Sequence, residues 1–450
     1  MSSLKFYIEE EKYSNIDISQ NFSNTDIEKL KELGILKKLE NNDFKFSYTG
    51  ILSLNSNLYL FLPKYLIYRN DLDEQEKIEE LKIVLKVLKK YAKKNQFQGE
   101  LSFLTFDDSN DNFSLLAIVE YLIEDFINYG LYNRQISDIE YNGDGIINWL
   151  NTVENELIYK SNNQVIYLDY LNDITYDFDN YITKLHKLVL NKSFHFMQSL
   201  EFLELFDFPI INFEIEENSL GSISFQIKKI NDELSISFSQ REVKLLKALK
   251  LFIEHTKTSN GYENDFFYGT CSFNMVWEKI CSDIIGTDRN KLLPFGSETK
   301  ELIEFIPYPI WNERISLVDK NASRTLNPDI LKIYNCDELF IFDAKYYKPI
   351  FKDSILQNGN PGVEDISKQY LYELAFKNMF SCRFNLFVFP VYDKKNEIIG
   401  KVKFNLFDMM SLNSIYLLEL NTLEVYHLYL EEKRYSNDFF IYIKDSIASY

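Results

Sequence analysis

Three charged residues stand where charge is costly. Asp329 follows Pro328 and opens the apolar run Ile330-Leu331-Lys332-Ile333, and Asp343 closes the run Leu339-Phe340-Ile341-Phe342. Lys345 follows two residues later, in Asp343-Ala344-Lys345-Tyr346-Tyr347. If the two runs pair as a hairpin, both carboxylates reach one end of a sheet. Period-two geometry then puts Asp343 and Lys345 on one face. Such charges against apolar strands must be paired or must coordinate a metal. The chemistry that uses this set is metal-assisted phosphodiester hydrolysis. Asp329 and Asp343 are the expected Mg²⁺ ligands, since this ion takes one or two carboxylates and keeps several waters. Lys345 is the expected catalytic lysine, orienting water and stabilising developing negative charge. A third carboxylate, Glu278, lies beside the apolar stripe Phe273, Trp277, Ile280 and Ile284 of an upstream helix. The plainer reading is a structural Asp343–Lys345 pair and a solvent-facing Glu278 next to Lys279.

Other chemistries find little support. The four cysteines, at 271, 281, 336 and 382, form no C-x-x-C pair, which argues against a structural zinc site or a disulfide scaffold. His186, His195, His255 and His427 show no mutual metal spacing. No G-x-S-x-G elbow, G-x-G-x-x-G loop or G-x-x-x-x-G-K-[ST] phosphate loop is present. Gly143-x-Gly145 follows an Asn and reads as a turn needing positive φ.

The elements that must position these residues are short apolar strands alternating with helices. A helix over 273–285 precedes the two acidic strands, and another over 364–380 lies before the strand Leu386-Phe387-Val388-Phe389. This order predicts a helix-covered α/β sheet. Near the N-terminus, Thr25 and Glu28 suggest a capping box, with Gly34 as C-cap, followed by hairpin alternation over 44–62. That module, half of a winged helix in pattern, could contact DNA or dock on the rest of the chain. Residues 73–95 form an amphipathic helix with Lys82, Lys86, Lys89, Lys90 and Lys93 largely off its apolar face. Further helices are expected at 113–130, 178–205 and 240–256. The alternations Ile211, Phe213, Ile215 and Ile223, Phe225, Ile227 suggest strands. The expected organisation is mixed α+β and multidomain: residues 1–70, a scaffold over 71–270, and a catalytic region over 271–450.

At 450 residues with 46% apolar and 26% charged, the chain has a globular balance and length for two to four domains. Its net charge of −19 makes it a poor lone DNA binder and argues against a membrane-surface role. The acidic start without an apolar h-region, and the scarcity of cysteine, point to a cytoplasmic protein.

The segment from Pro328-Asp329 to Asp343-Ala344-Lys345 resembles the PD-(D/E)xK nuclease core as written in McrC-like proteins and the LlaJI family of restriction endonuclease subunits. Tyr48-Thr49-Gly50-Ile51-Leu52 through Leu62-Pro63-Lys64-Tyr65 resembles that group's N-terminal hairpin. Glu140-Tyr141-Asn142-Gly143-Asp144-Gly145-Ile146-Ile147-Asn148-Trp149 through Thr152 resembles its central stretch. The resemblance implies a restriction-endonuclease-like C-terminal core with Glu278, Asp329, Asp343 and Lys345 in the site. It implies Mg²⁺ as cofactor, double-stranded DNA as substrate and a separate McrB-like AAA+ GTPase as partner. Related nucleases add a Gln and a Tyr four residues on; here Gln369 is present but position 373 is Glu. Lys64 and its hairpin are expected to serve partner docking. The alternative function is a non-catalytic assembly or DNA-recognition subunit that keeps the fold.

Overall fold

The computed structural model describes residues 5–55, 57–67, 69, 71–95, 115–161, 164–178, 181–200, 202–215, 220–258, 266–295, 297–312, 319–352, 355–358 and 360–450. It is a mixed α/β structure in two compact units. One joins residues 1–104 to 267–450, and the other spans 105–266. The segments 1–70 and 271–450 therefore lie in one unit, together with the long helix Glu74–Asn95.

Two of the first unit's sheets frame the site. In the N-terminal sheet, Lys5–Ile8 runs parallel to Asn57–Leu62, which pairs antiparallel with Thr49–Leu54. Phe266–Thr270 adds at the far edge. Tyr7, Phe22, Phe46, Tyr59 and Phe61 fill the core over this sheet. The preceding helix, Asn24–Glu32, is capped by Ser23 and Asp26 rather than by Thr25 and Glu28. Ser23 Oγ accepts from Asp26 N, and Asp26 Oδ2 accepts from Ser23 N. Both serine and aspartate satisfy the first-turn donors better than a cap two residues later.

The Tyr48-Thr49-Gly50 stretch has a steric origin. A Cβ on Gly50 would stand 2.3 Å from Tyr268 O, and one on Gly269 would stand 2.3 Å from Thr49 O. Gly50 also sits at φ +139°, a conformation other residues rarely adopt. Two backbones meet here at a separation only glycine permits, which joins Thr49–Leu54 to Phe266–Thr270. The latter strand leads directly into helix Phe273–Ile285.

The C-terminal sheet has five strands in the order Ile330–Tyr334, Glu338–Ala344, Cys382–Val391, Ile415–Asn421 and Glu397–Val402. The first two pair antiparallel as the expected hairpin, and the next two join in parallel. Leu339 and Ile341 pack on Tyr372 and Phe376 of helix Val363–Phe376. On the opposite face Phe340 stacks on Phe384 at 4.5 Å and meets Phe440 of helix Asn437–Ala448. Strands covered on both faces read as continuous apolar runs, as these do.

The second unit pairs Arg134–Tyr141 antiparallel with Leu171–Phe178, whose other edge takes Ile146–Ile147. The central Asn-Gly-Asp-Gly stretch ties this sheet. Asn142 donates from Nδ2 to Asp169 Oδ1 and accepts from Tyr170 N, both at 2.8 Å. Asn142 takes the left-handed conformation, at φ +53°. An asparagine side chain that bonds locally stabilises that conformation. Helices Leu115–Tyr129, Tyr181–Ser199 and Gln240–Thr258 follow the expected spans. Residues 223–234 form a helix, Ile223–Leu234, where alternation suggested a strand. Ile223, Ile227 and Ile230 also fit i, i+4, i+7, and Ser222 caps the helix by accepting from Phe225 N. Residues 211–215 have no regular structure. Phe213 instead pairs its backbone with the Asn191 amide, which accepts at 2.8 Å and donates at 2.7 Å.

Candidate active site

The antiparallel register sets Ile330 opposite Phe342, so Asp329 and Asp343 flank the same open end of the hairpin. Asp329 Oδ2 accepts a hydrogen bond of 2.9 Å from Ala344 N, which fixes its carboxylate across the strand end. Lys345 N donates to Val388 O at 2.8 Å and so extends the parallel ladder by one residue. Its side chain turns to the face of Asp343, with Nζ 2.7 Å from Asp343 Oδ2. The same ammonium bonds Asp365 Oδ1 at 2.9 Å. Asp343 and Lys345 side chains are only 13% and 17% exposed, which places the pair well inside the protein.

Too many carboxylates share this space for all to ionise comfortably. Burial, then the charges of Asp343 and Glu278, push Asp329 up to about 8. Asp343 is also raised by burial, against the opposing pull of Lys345. Burial acts to lower the Lys345 ammonium, but Asp343 and Asp365 outweigh it and hold the lysine above its ordinary value. Glu278 sits on the outer side of helix Phe273–Ile285, while Phe273, Trp277, Ile280 and Ile284 are buried as expected. Its carboxyl is raised by partial burial and by the charge of Asp343. All four predicted residues thus belong to one electrostatic cluster.

Among the described residues, no three His, Cys, Asp or Glu side chains form a preformed metal cage. The donor set nevertheless suits a hard divalent cation. Asp329 and Asp343 offer carboxylate oxygens beside each other, and burial first, then neighbouring carboxylates, raise both. Mg²⁺ needs only one or two protein carboxylates, completing its shell from water and phosphate.

Gln369 is fully buried below the site. Its Nε2 donates to Ile341 O at 3.3 Å and to Leu386 O at 3.2 Å, bridging two parallel strands. Tyr372 Oη donates to Asn327 O at 3.3 Å, and burial with Asp343 and Asp329 nearby raises it to about 12. Glu373 faces a different task. It accepts from Arg383 Nε at 3.3 Å, Asn385 Nδ2 at 3.3 Å and Asn413 Nδ2 at 2.7 Å, a buried hub that joins the start of strand Cys382–Val391 and the approach to strand Ile415–Asn421 to the helix. Asp365 escaped the sequence reading. It lies four residues before Gln369 and seven before Tyr372, the helical spacing that gives one face.

A mixed sheet whose open end gathers aspartates and a lysine defines an α/β protein with a buried acidic site. The chain belongs to the LlaJI restriction endonuclease family, whose model matches residues 48–420. It is 32% identical to the type II restriction enzyme BsuMI component YdjA of Bacillus subtilis (strain 168), over 97% of this chain and 91% of that protein. A refined half-complex of Thermococcus gammatolerans McrB AAA+ hexamers with bound McrC is similar at a TM-score of 0.38 and 10% identity, covering 96% of this chain and 99% of that one. No helix among the described residues is long and apolar enough to cross a membrane.

Proposed function

We propose that this chain is the DNA-cleaving subunit of a restriction system, with a PD-(D/E)xK type centre that hydrolyses phosphodiester bonds. The observation that carries the reading is the joining of Asp329, Asp343 and Lys345 at one strand end. Asp329 and Asp343 would hold Mg²⁺, which would supply activation of water and offset charge on the phosphoryl oxygens. Lys345 holds the attacking water and the developing negative charge. Asp365 keeps the lysine ammonium on that side of the strand. Glu278 adds a third carboxylate whose charge is felt at Asp329.

The substrate in this reading is double-stranded DNA, and a separate McrB-like AAA+ GTPase supplies nucleotide-driven movement. Three things support a partner: the relative is itself described as a component, the chain has no phosphate loop, and its net charge of −19 disfavours lone DNA binding. The test is cleavage of unmodified plasmid DNA by the reconstituted system with Mg²⁺, after EDTA, and with Asp329→Asn. Cleavage lost to EDTA, restored by Mg²⁺ and abolished in a folded Asp329→Asn protein is expected. Full cleavage by that variant contradicts the assignment.

A further inference from the structure

Residue 346 points away from the acidic face, as period-two geometry requires of a residue next to Lys345. There it enters the N-terminal sheet's end. Tyr346 Oη donates to Glu9 Oε2 at 2.7 Å and accepts from Lys64 N at 3.3 Å. Lys64 Nζ lies 4.4 Å from the centre of its ring, a cation–π distance. Glu9 is itself buried, and also accepts from Thr49 Oγ1 at 3.2 Å. Burial raises Glu9 and lowers Lys64, as expected of charges held inside the protein. Lys64 therefore packs its ammonium against the Tyr346 ring within this unit.

The position of this cluster in the chain matters. The strand Glu338–Ala344 ends one residue before Lys345, whose backbone N–H donates to Val388 O. The next firm anchors are the Tyr346 side chain and the Tyr347 ring, 5.6 Å from Phe389. Tyr346 also packs at 5.1 Å on Phe273, the first residue of the helix that carries Glu278. That helix issues from Phe266–Thr270, the edge strand of the N-terminal sheet. One tyrosine thus touches the segment bearing Lys345, the helix bearing Glu278 and the buried carboxylate of the first strand's end.

We propose that Tyr346 is a positioning residue for Lys345, clamped by Glu9 and Lys64, and that the N-terminal sheet is part of the framework of the cleavage site. This rests on the nuclease reading above. A buried Glu–Tyr–Lys cluster costs desolvation and returns a fixed geometry only where every member is satisfied. A lysine at a strand end needs such a fixed support, because displacement of about 1 Å can cost on the order of 10² in rate.

The test uses the full-length chain with Tyr346→Phe and, as the conservative variant, Glu9→Gln, which keeps an acceptor for the tyrosine hydroxyl. Amide hydrogen exchange is measured on the chain alone. Tyr346→Phe should exchange about tenfold faster over 344–347 while 386–391 is unchanged, and Glu9→Gln should stay near wild type. In the reconstituted system, at a temperature where melting shows each variant folded, Tyr346→Phe should lose kcat by about tenfold or more with KM for DNA unchanged. Lys345→Ala is the control. Wild-type kcat and wild-type exchange in Tyr346→Phe, with Lys345→Ala inactive, overturns the clamp and leaves the nuclease site standing. A loss of rate that follows only the folded fraction also overturns it. Full activity in Lys345→Ala overturns both readings.

Discussion

Lys345 holds its ammonium between Asp343 at 2.7 Å and Asp365 at 2.9 Å, so each carboxylate limits where the other can draw it. If Lys345 is the proposed catalytic lysine, Lys345→Ala is expected to reduce cleavage by about 10²–10³. Asp365→Asn leaves the lysine with a single ionic partner. Its expected effect is smaller, about tenfold in kcat, or 1.4 kcal/mol. Melting should move little, because the Asp365 side chain is 33% exposed and such pairs contribute about 0–1 kcal/mol. Steady-state cleavage alongside thermal melting separates the two effects. At this scale the sequence was informative because charge beside an apolar strand is rare and period-two spacing is strict. Asp365 was missed because it is an ordinary first-turn acid until Lys345 is seen beside it. Glu373 was noticed only as a departure from tyrosine, since a hub of Arg383, Asn385 and Asn413 is assembled by residues distant in sequence.

Helices and strands carry their own predictions. Glu373→Ala leaves Arg383 without its partner in the interior and should destabilise the protein by about 3–5 kcal/mol, read as a fall in melting temperature. Glu80, on helix Glu74–Asn95, accepts from Tyr65 Oη and is raised by burial to about 7 from an ordinary 4.5. A carboxyl whose folded value is raised contributes stability below about 4.5, and that contribution is lost as pH rises towards 7, at about 1.4 kcal/mol per pH unit. Glu80→Gln keeps the acceptor without the titration. The variant should therefore gain on wild type in denaturant melts at pH 8 compared with pH 4.5, and equal offsets at both values contradict the account. Long periodic elements were legible: helices near 115–129, 240–258 and 273–285 and the strands around 330, 340 and 387 all appear where periodicity puts them. Short segments were not. Ile223, Phe225 and Ile227 satisfy period two as well as the helix, and only Ser222 as cap and Ile230 in the core decide between them.

At the scale of the molecule, chain order and spatial order part company. Residues 1–104 and 267–450 form one unit around an excursion of 105–266. Sequence patterns could not announce this, because the joint depends on Gly50 and Gly269 meeting across more than two hundred residues. A chain lacking residues 1–70 loses Glu9, Gly50 and Lys64 together. It should lose its cooperative melting transition and its Mn²⁺ binding at once, as measured by circular dichroism and calorimetry. Retained Mn²⁺ binding by a folded truncation would show the N-terminal sheet to be dispensable. The central claim is that Asp343 belongs to a metal-dependent cleavage centre, and calorimetric Mn²⁺ titration of full-length Asp343→Asn, paired with cleavage by the reconstituted system, tests it most directly. The substitution keeps the side-chain shape while removing an anionic oxygen that hard cations require. The expected outcome is a folded protein with metal binding weakened at least tenfold and cleavage lost; a folded variant that binds Mn²⁺ as tightly as the native chain and cleaves DNA at the native rate would remove Asp343 from the site.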